Sequence, residues 1–421
     1  MKYRREENLS WRKLDNYAKL FPLASTQKYK TVFRMSVVLK EDIDANILQR
    51  AVKIALNKFK FFKVRMRKGL FWYYFENNTK EPIVEEENDY PCKFIDLTLN
   101  NDYLFSVTYF EKKINLEIFH CLTDGSSALH FFKEIIYNYI EIKHLNNAST
   151  SLTKEREVKY NAEDIYSKNY DKKIKAKRDK TKAYTLKGKM LPPGVISVTH
   201  EIVSSSRIKE ITKEKQCSTT QFFTACLIYA IHEEGVKKDK SKRKVKIQVP
   251  VNLKKYFPSI TISNSFSYID VNVDTSKEDT FDKILSEVKK QFEEKLTEEE
   301  LLKTIAVNLR LGNNTLLKLV PLFIKKIAVA NAHKEYRKYN TTTLSNIGRI
   351  GIISEYKEYI DKFLLLIAPE SIEKIKCTIC AYEDKMVFSF ASVLENKNVE
   401  NKFKEILEGI GIPVTIEGNE V

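Results

Sequence analysis

A histidine able to take a proton, an aspartate four positions later and a glycine directly after it stand at His120, Asp124 and Gly125. Their order is His-x-x-x-Asp-Gly. An imidazole with an ordinary pKa of about 6.5 is largely neutral at pH 7, so His120 can act as a general base. A base so placed serves any reaction in which a group must lose a proton as it attacks. Glu111 to His120 alternates like a strand, and Ser126 to Ile142 carries apolar residues at helical spacing, so the three residues fall on a strand-loop-helix junction. Gly125 is expected to be structural, since a side chain would crowd the turn.

The elements that must hold this junction alternate along the chain. Tyr29 to Leu39 reads as a strand, Ile43 to Phe59 as an amphipathic helix, and Phe61 to Met66 and Gly69 to Glu76 as two further strands. Residues 151–194 are rich in Lys, Ser, Thr and Asn, and end at the breaker Pro192-Pro193-Gly194, which marks a basic crossover linker. A second strand-helix unit follows. Val195 to Val203 is a strand and Ser206 to Lys213 a short helix; Cys217 to Thr220 caps a helix over Gln221 to Glu234 that closes at Gly235. Val245 to Val251 and Ser265 to Val273 are strands, and a helical region runs from Phe281 to about Tyr336. Thr341 to Ser345, Lys374 to Tyr382 and Met386 to Ser392 complete the sheet before a last helix, Val399 to Gly409. The fold class expected is therefore α/β (an α+β sandwich), with residues 1–150 and 195–421 as two similar subdomains.

Composition narrows the field. In 421 residues, 43% hydrophobic and 11% aromatic content gives enough apolar material for two cored units. The start, MKYRREENLSWRKLDNYAKLF, is charged and has no apolar run, so no secretory signal is expected there. Thr315 to Ala332 is broken by Lys318, Pro321, Lys325 and Lys326, too charged to span a bilayer; a cytoplasmic protein without a transmembrane segment is expected. Six cysteines are too sparse for a disulfide scaffold. Cys377 and Cys380 fall on a strand, where positions i and i+3 face opposite ways, which argues against metal or redox work. No remaining histidine shows metal-ligand spacing, so no metal site is expected. Cys121, beside the base, is open to thiol reagents without being a nucleophile. The net charge of +16 gathers in Lys168 to Lys189 and Lys237 to Lys246, without interleaved stacking aromatics. That pattern speaks against nucleic acid and leaves solvated loops, or a rim attracting an anionic substrate such as a coenzyme A phosphate or an acidic carrier protein.

FHCLTDGSSALHFF resembles the active-site segment of the chloramphenicol acetyltransferase-like superfamily, which includes plant-type acyltransferases, condensation domains and alcohol acetyltransferases. Val249 to Tyr268 (VPVNLKKYFPSITISNSFSY) and Thr342 to Ile350 (TTLSNIGRI) resemble two further segments of bacterial alcohol acetyltransferase-like proteins, as do WRKLDNYAKLFP and GLFWYYFE. Nearly the whole chain is covered, with the landmarks in order. Phe119 replaces the first of the paired histidines usual in condensation domains, and the plant-type Asp-Phe-Gly-Trp-Gly block is absent.

The resemblance implies two acetyltransferase-like subdomains in one chain with an active-site tunnel between them. It implies transfer of an acetyl or other short acyl group from acyl-CoA, a co-substrate rather than a bound cofactor, to a small hydroxylated acceptor. His120 would be the catalytic base. Asp124 would fix the loop rather than complete a triad, paired with Lys254 from the other half, and Ser127 would cap or pack at the helix start. Asn252, Asn264, Ser345 and Asn346 would be open to contact substrate or oxyanion. Two other readings stand beside this one: a carrier-protein-dependent or condensation-type enzyme, and a non-catalytic binding protein on the same fold.

Overall fold

The computed structural model describes residues 11–26, 29–145, 160–277, 279–312 and 319–419. The charged start through Ser10, the first part of the basic crossover (146–159) and Thr315 to Lys318 lie outside them.

The amino-terminal half is built on a five-stranded sheet. Its strands are β2 (Val32–Leu39), β5 (Val84–Glu86), β6 (Phe105–Phe110), β7 (Lys113–Phe119) and β12 (Ile360–Ile367), in the order β12-β2-β7-β6-β5. Helices α1 (Ala45–Lys58) and α2 (Gly125–His144) share its core, where Leu48, Val52, Phe131 and Ile135 meet Val37, Leu116 and Val107. Beside it lies a small sheet of β1 (Trp11–Lys13), β3 (Val64–Lys68) and β4 (Tyr73–Asn77), in the order β1-β4-β3.

The carboxy-terminal half holds seven strands: β8 (Ser197–Ser204), β9 (Val245–Asn252), β10 (Phe266–Val273), β11 (Thr342–Arg349), β13 (Ile375–Tyr382), β14 (Lys385–Ser392) and β15 (Thr415–Gly418). Their order is β10-β9-β11-β13-β14-β8-β15. Helices α3 (Ser205–Glu214), α4 (Thr219–Ile231), α5 (Phe281–Lys295) and α8 (Asn398–Gly409) pack into its core. Among the described residues, the helical stretch expected from Phe281 to Tyr336 holds three helices: α5, α6 (Glu298–Gly312) and α7 (Leu322–Arg337).

Residues of β13 alternate between two cores. Ile375, Cys377, Ile379 and Ala381 face the carboxy-terminal helices, whereas Cys380 and Tyr382 face the five-stranded half. The sheet is thus buried on both faces, and the two thiols sit on opposite sides of it. Strand β12 joins the halves more firmly still. It lies far along the chain yet pairs antiparallel with β2, from Phe363 opposite Val37 to Ile367 opposite Phe33. A boundary at residue 195 therefore does not separate the sheets: the carboxy-terminal stretch lends one strand to the amino-terminal sheet. Its sequence, IDKFLLLI, is too short and too evenly apolar to show a period.

Residues 160–194 are partly ordered against the body. Ile165 and Tyr166 pack with Leu253, Leu301 and Ile305, and the Tyr166 hydroxyl donates to the Phe266 carbonyl (2.7 Å). Lys168 to Lys189 is mostly exposed, as solvated charge should be.

Candidate active site

Strand β7 ends at Phe119 and α2 begins at Gly125, so His120 to Asp124 form the loop between them. The His120 amide donates to the Thr31 carbonyl (2.8 Å), and the Thr123 hydroxyl donates to the Ile262 carbonyl (2.6 Å), pinning the loop to both halves. The imidazole lies in an aromatic cage. Phe21 stacks on it at 4.7 Å and 14°, while Phe33 and Phe266 each approach to 5.0 Å. His120 Nδ1 is 3.1 Å from Asn264 Oδ1. An amide oxygen only accepts, so Nδ1 carries the proton and Nε2 keeps its lone pair. Burial pulls the imidazole below its ordinary pKa, and Asp124, its own carbonyl and Asn264 pull part of the way back. The ring is a neutral base at pH 7.

Asp124 caps α2, and its two oxygens are fully engaged. Oδ1 accepts from the Ser126 hydroxyl and the Ser127 amide (2.9 Å each); Oδ2 accepts from the Ser265 amide and hydroxyl (2.7 Å each). Burial would raise this carboxyl, but Lys254 and the serine donors outweigh it and hold it below the usual range. The expected direct Asp124–Lys254 pair does not form. Ser265 occupies the carboxylate, and Lys254 Nζ donates instead to the Ser127 hydroxyl (3.0 Å), acting on Asp124 through space. The lock across the halves is therefore Asp124–Ser265, and Ser127 is a relay of polar contact rather than a cap.

Gly125 also differs from expectation. A β-carbon there would meet only Met35 Cε at 3.7 Å and Ile347 Cδ1 at 3.8 Å, ordinary contacts, so the turn itself does not demand glycine. All three residues line the cavity, and the missing side chain keeps space open beside His120.

That cavity, about 340 Å³, lies between the halves, walled by β2 and the His120 loop on one side and by β9, β10 and β11 on the other. Asn252, Ser345 and Asn346 all line it. Asn252 Oδ1 accepts the Lys254 amide (3.0 Å), so it is a turn cap. Asn346 Nδ2 donates to the Thr220 hydroxyl (3.0 Å) and its Oδ1 accepts the Gly348 amide (2.8 Å); Gly348 takes φ +80° just past a bulge in β11, a conformation that suits glycine. Ser345 pairs with Thr378 through the strand ladder, and its hydroxyl makes no hydrogen bond among the described residues. The cavity wall also holds a buried charged network. Arg337 pairs with Glu370 (2.7 Å) and Glu373 (3.0 Å), and Lys376 pairs with Glu373 (2.6 Å).

Cys121 is buried and burial pushes its thiol well up, so it is closed to thiol reagents, contrary to expectation. Among the described residues no group of His, Cys, Asp and Glu could hold a metal ion, and no helix is long and apolar enough to cross a membrane. Sequence reasoning missed Phe21, Phe33, Phe266 and Ser265, whose types carry no chemical signal until the fold gathers them. It also missed Asp15, which meets Asn264.

Known proteins share this architecture. The sequence model of the alcohol acetyltransferase family matches residues 194–364. Solved structures align almost end to end with this chain. The chain has the two-subdomain chloramphenicol acetyltransferase-like fold. TRI101 of Fusarium sporotrichioides, solved with coenzyme A and T-2, is similar at a TM-score of 0.64 and 9% identity, over 96% of this chain and 98% of that one. Polyketide synthase associated protein 5 of Mycobacterium tuberculosis gives 0.60 and 12%, over 94% and 96%. The starter condensation domain of rhizomide synthetase RzmA, solved with C8-CoA and Leu-SNAC, gives 0.61 and 8%, over 95% and 93%. No curated protein sequence matches the chain. In this fold the cavity described above falls between the two subdomains, with His120 at its wall.

Proposed function

We propose that this chain is an acyl-CoA-dependent O-acyltransferase that moves a short acyl group, such as acetyl, to an alcohol hydroxyl. The observation that carries the reading is His120 itself: a half-buried, neutral imidazole at the cavity wall whose Nδ1 is bound to Asn264, leaving Nε2 as the only basic position of the ring. The match to the alcohol acetyltransferase family and the coenzyme A ligands of similar structures support the donor.

In this mechanism Nε2 takes the proton of the acceptor hydroxyl as its oxygen attacks the thioester carbonyl. The tetrahedral oxyanion collapses, the carbon–sulfur bond breaks, and the imidazolium returns its proton to the departing thiolate. No acyl-enzyme forms, because the thioester is already activated. The Ser345 hydroxyl is free to donate to the bound substrate. Phe21, Phe33 and Phe266 cover part of the ring, which limits the access of water and so thioester hydrolysis. A cavity of this size holds an acyl group and a small acceptor, and the charged network of Arg337, Glu370 and Lys376 suits one with further polar groups.

The test is thiol release from acyl-CoAs of increasing length with pooled alcohols and amines, for the wild type and His120→Ala. A fall of about a hundredfold or more in the variant, the low end for losing a general base, supports the proposal. Absence of turnover together with absence of coenzyme A binding refutes it. Similarity to a condensation domain and the exposed lysines of residues 168–189 favour one second reading, an acyl carrier protein as donor; turnover with acyl-carrier protein alone would select it.

A further inference from the structure

Asn264 is held from both sides. Its Oδ1 faces His120 Nδ1 at 3.1 Å, while its Nδ2 donates to Asp15 Oδ2 (3.2 Å), which also accepts the Asn264 amide (3.3 Å). The other Asp15 oxygen accepts the amides of Tyr17 (2.9 Å) and Ala18 (2.7 Å). All four groups around the carboxylate are donors. From this geometry we infer that Asp15 is a positioning residue for the reaction: it fixes the Asn264 amide, and through it the histidine tautomer that leaves Nε2 free to act as base.

The argument runs through the amide flip. Turning Asn264 over would bring its Oδ1 against Asp15 Oδ2, two acceptors about 3 Å apart, and its Nδ2 against His120 Nδ1. An ionised Asp15 opposes that, so Asn264 presents an acceptor to the ring and Nδ1 must keep the proton. Asp164, the carboxylate that bears on Asp15, does not compete, because it accepts the amides of Asn16, Tyr166 and Ser167. Cys121 and Tyr166, also close to Asp15, are kept neutral by burial. Burial, with Asp164 adding to it, lifts the Asp15 carboxyl to about 6 against the pull of the Ala18 and Asn264 donors, so it is ionised at neutral pH. The same segment carries Phe21, so the turn that places the carboxylate also places the ring stacked on His120.

Asp15→Asn inverts the arrangement. The new Oδ1 still accepts from Tyr17 and Ala18, which sets the new amide nitrogen beside Asn264. Donor then faces donor; Asn264 relieves this at its side chain by flipping, while its backbone N–H loses its acceptor. His120 Nδ1 then faces an N–H, with only the backbone acceptors of His120 and Thr123 left to hold its proton, so the balance shifts toward the Nε2–H form and the base weakens.

This inference rests on His120 as the base, and the experiment separates the two. Long-range proton–nitrogen spectra of full-length protein labelled at histidine report the tautomer without substrate, and His120→Gln assigns one of the six ring systems. Wild type at pH 8 should show a protonated Nδ1 and a bare Nε2. Asp15→Asn should shift His120 toward the Nε2–H form and lower kcat about a hundredfold, with KM for acyl-CoA unchanged. Should Asp15→Asn fail to fold, Asn264→Ser, which cuts the ring off from Asp15, is expected to show the same loss of the Nδ1–H form. An unchanged tautomer in a folded variant overturns the inference. A shifted tautomer together with full activity in His120→Ala would instead overturn the proposed function and leave the Asp15 linkage standing.

Discussion

Asp124→Ala tests whether the aspartate of the motif is a lock between the halves. It removes the acceptor of four donors: the Ser126 hydroxyl, the Ser127 amide, and the amide and hydroxyl of Ser265. Loss of the helix cap at Ser127 costs about 1 kcal/mol. The Ser265 amide is buried and would lose a charge-assisted bond worth about 1.5–3 kcal/mol. The two hydroxyls can rotate to other acceptors and are counted as nothing, so the loss is about 2.5–4 kcal/mol. Urea unfolding followed by tryptophan fluorescence and circular dichroism measures it at pH 7. The wild-type advantage should also shrink in acid. The Asp124 carboxyl is depressed in the folded chain, so its contribution is present above the ordinary carboxylate pKa and lost as pH falls through the folded value. A loss below about 1 kcal/mol, or one that does not diminish in acid, would refute the role of these bonds.

Glu201 lies in the carboxy-terminal core with neither carboxylate oxygen partnered among the described residues; burial, with Glu400 nearby, lifts it to about 9. Between about 4.5 and 9 the folded chain keeps a proton that the unfolded chain has released, so stability falls as pH rises, by up to about 1.4 kcal/mol per unit. Glu201→Gln should remove most of that slope, and equal slopes from pH 5 to 8 would contradict the assignment. Because burial depresses the His120 pKa, the acid limb of kcat/KM should fall below the ordinary histidine value; a limb above pH 7 would count against His120 as the free base. Gly125→Ala should leave unfolding free energy within about 1 kcal/mol of wild type, consistent with its ordinary contacts, while Gly125→Leu should raise acceptor KM by filling the cavity. A collapse in stability for the alanine variant would restore the crowded-turn explanation.

Strand and helix types around His120 were legible because each element keeps its period: β7 alternates because Ile114, Leu116 and Ile118 meet the apolar core while Asn115 and Glu117, buried too, find polar partners in Ser36 and Arg34. Strand β12 was not, since FLLLI is buried among strands and has no polar phase to read. Nor could any local pattern say that it pairs with β2, more than 300 residues earlier. At the site the same division holds. His120 and Asp124 are chemically marked and closely spaced, so the motif exposes them. Lys254 was placed against Asp124 by the family resemblance, whereas the fold offers Ser265, whose amide and hydroxyl reach the same oxygen at 2.7 Å. Neutral donors with good geometry displace a cation that would have had to shed its water to come as close.

Asp15 shows why the base could be read and its support could not. Its segment, WRKLDNYAKLFP, has the look of an ordinary amphipathic start, and an aspartate before a helical turn is explained by capping alone, which it does through Tyr17 and Ala18. Only one of its oxygens is spent there. The other reaches Asn264, 249 positions away, and Asn264 reaches His120, a further 144 positions off in sequence. Each link joins residue types that are common and individually uninformative. The chemical content lies in their direction: two amide donors, a carboxylate, an amide that must then point its oxygen outward, and a ring forced to hold its proton on one side. Direction is a property of the folded contact, and the two halves must close on each other before it exists.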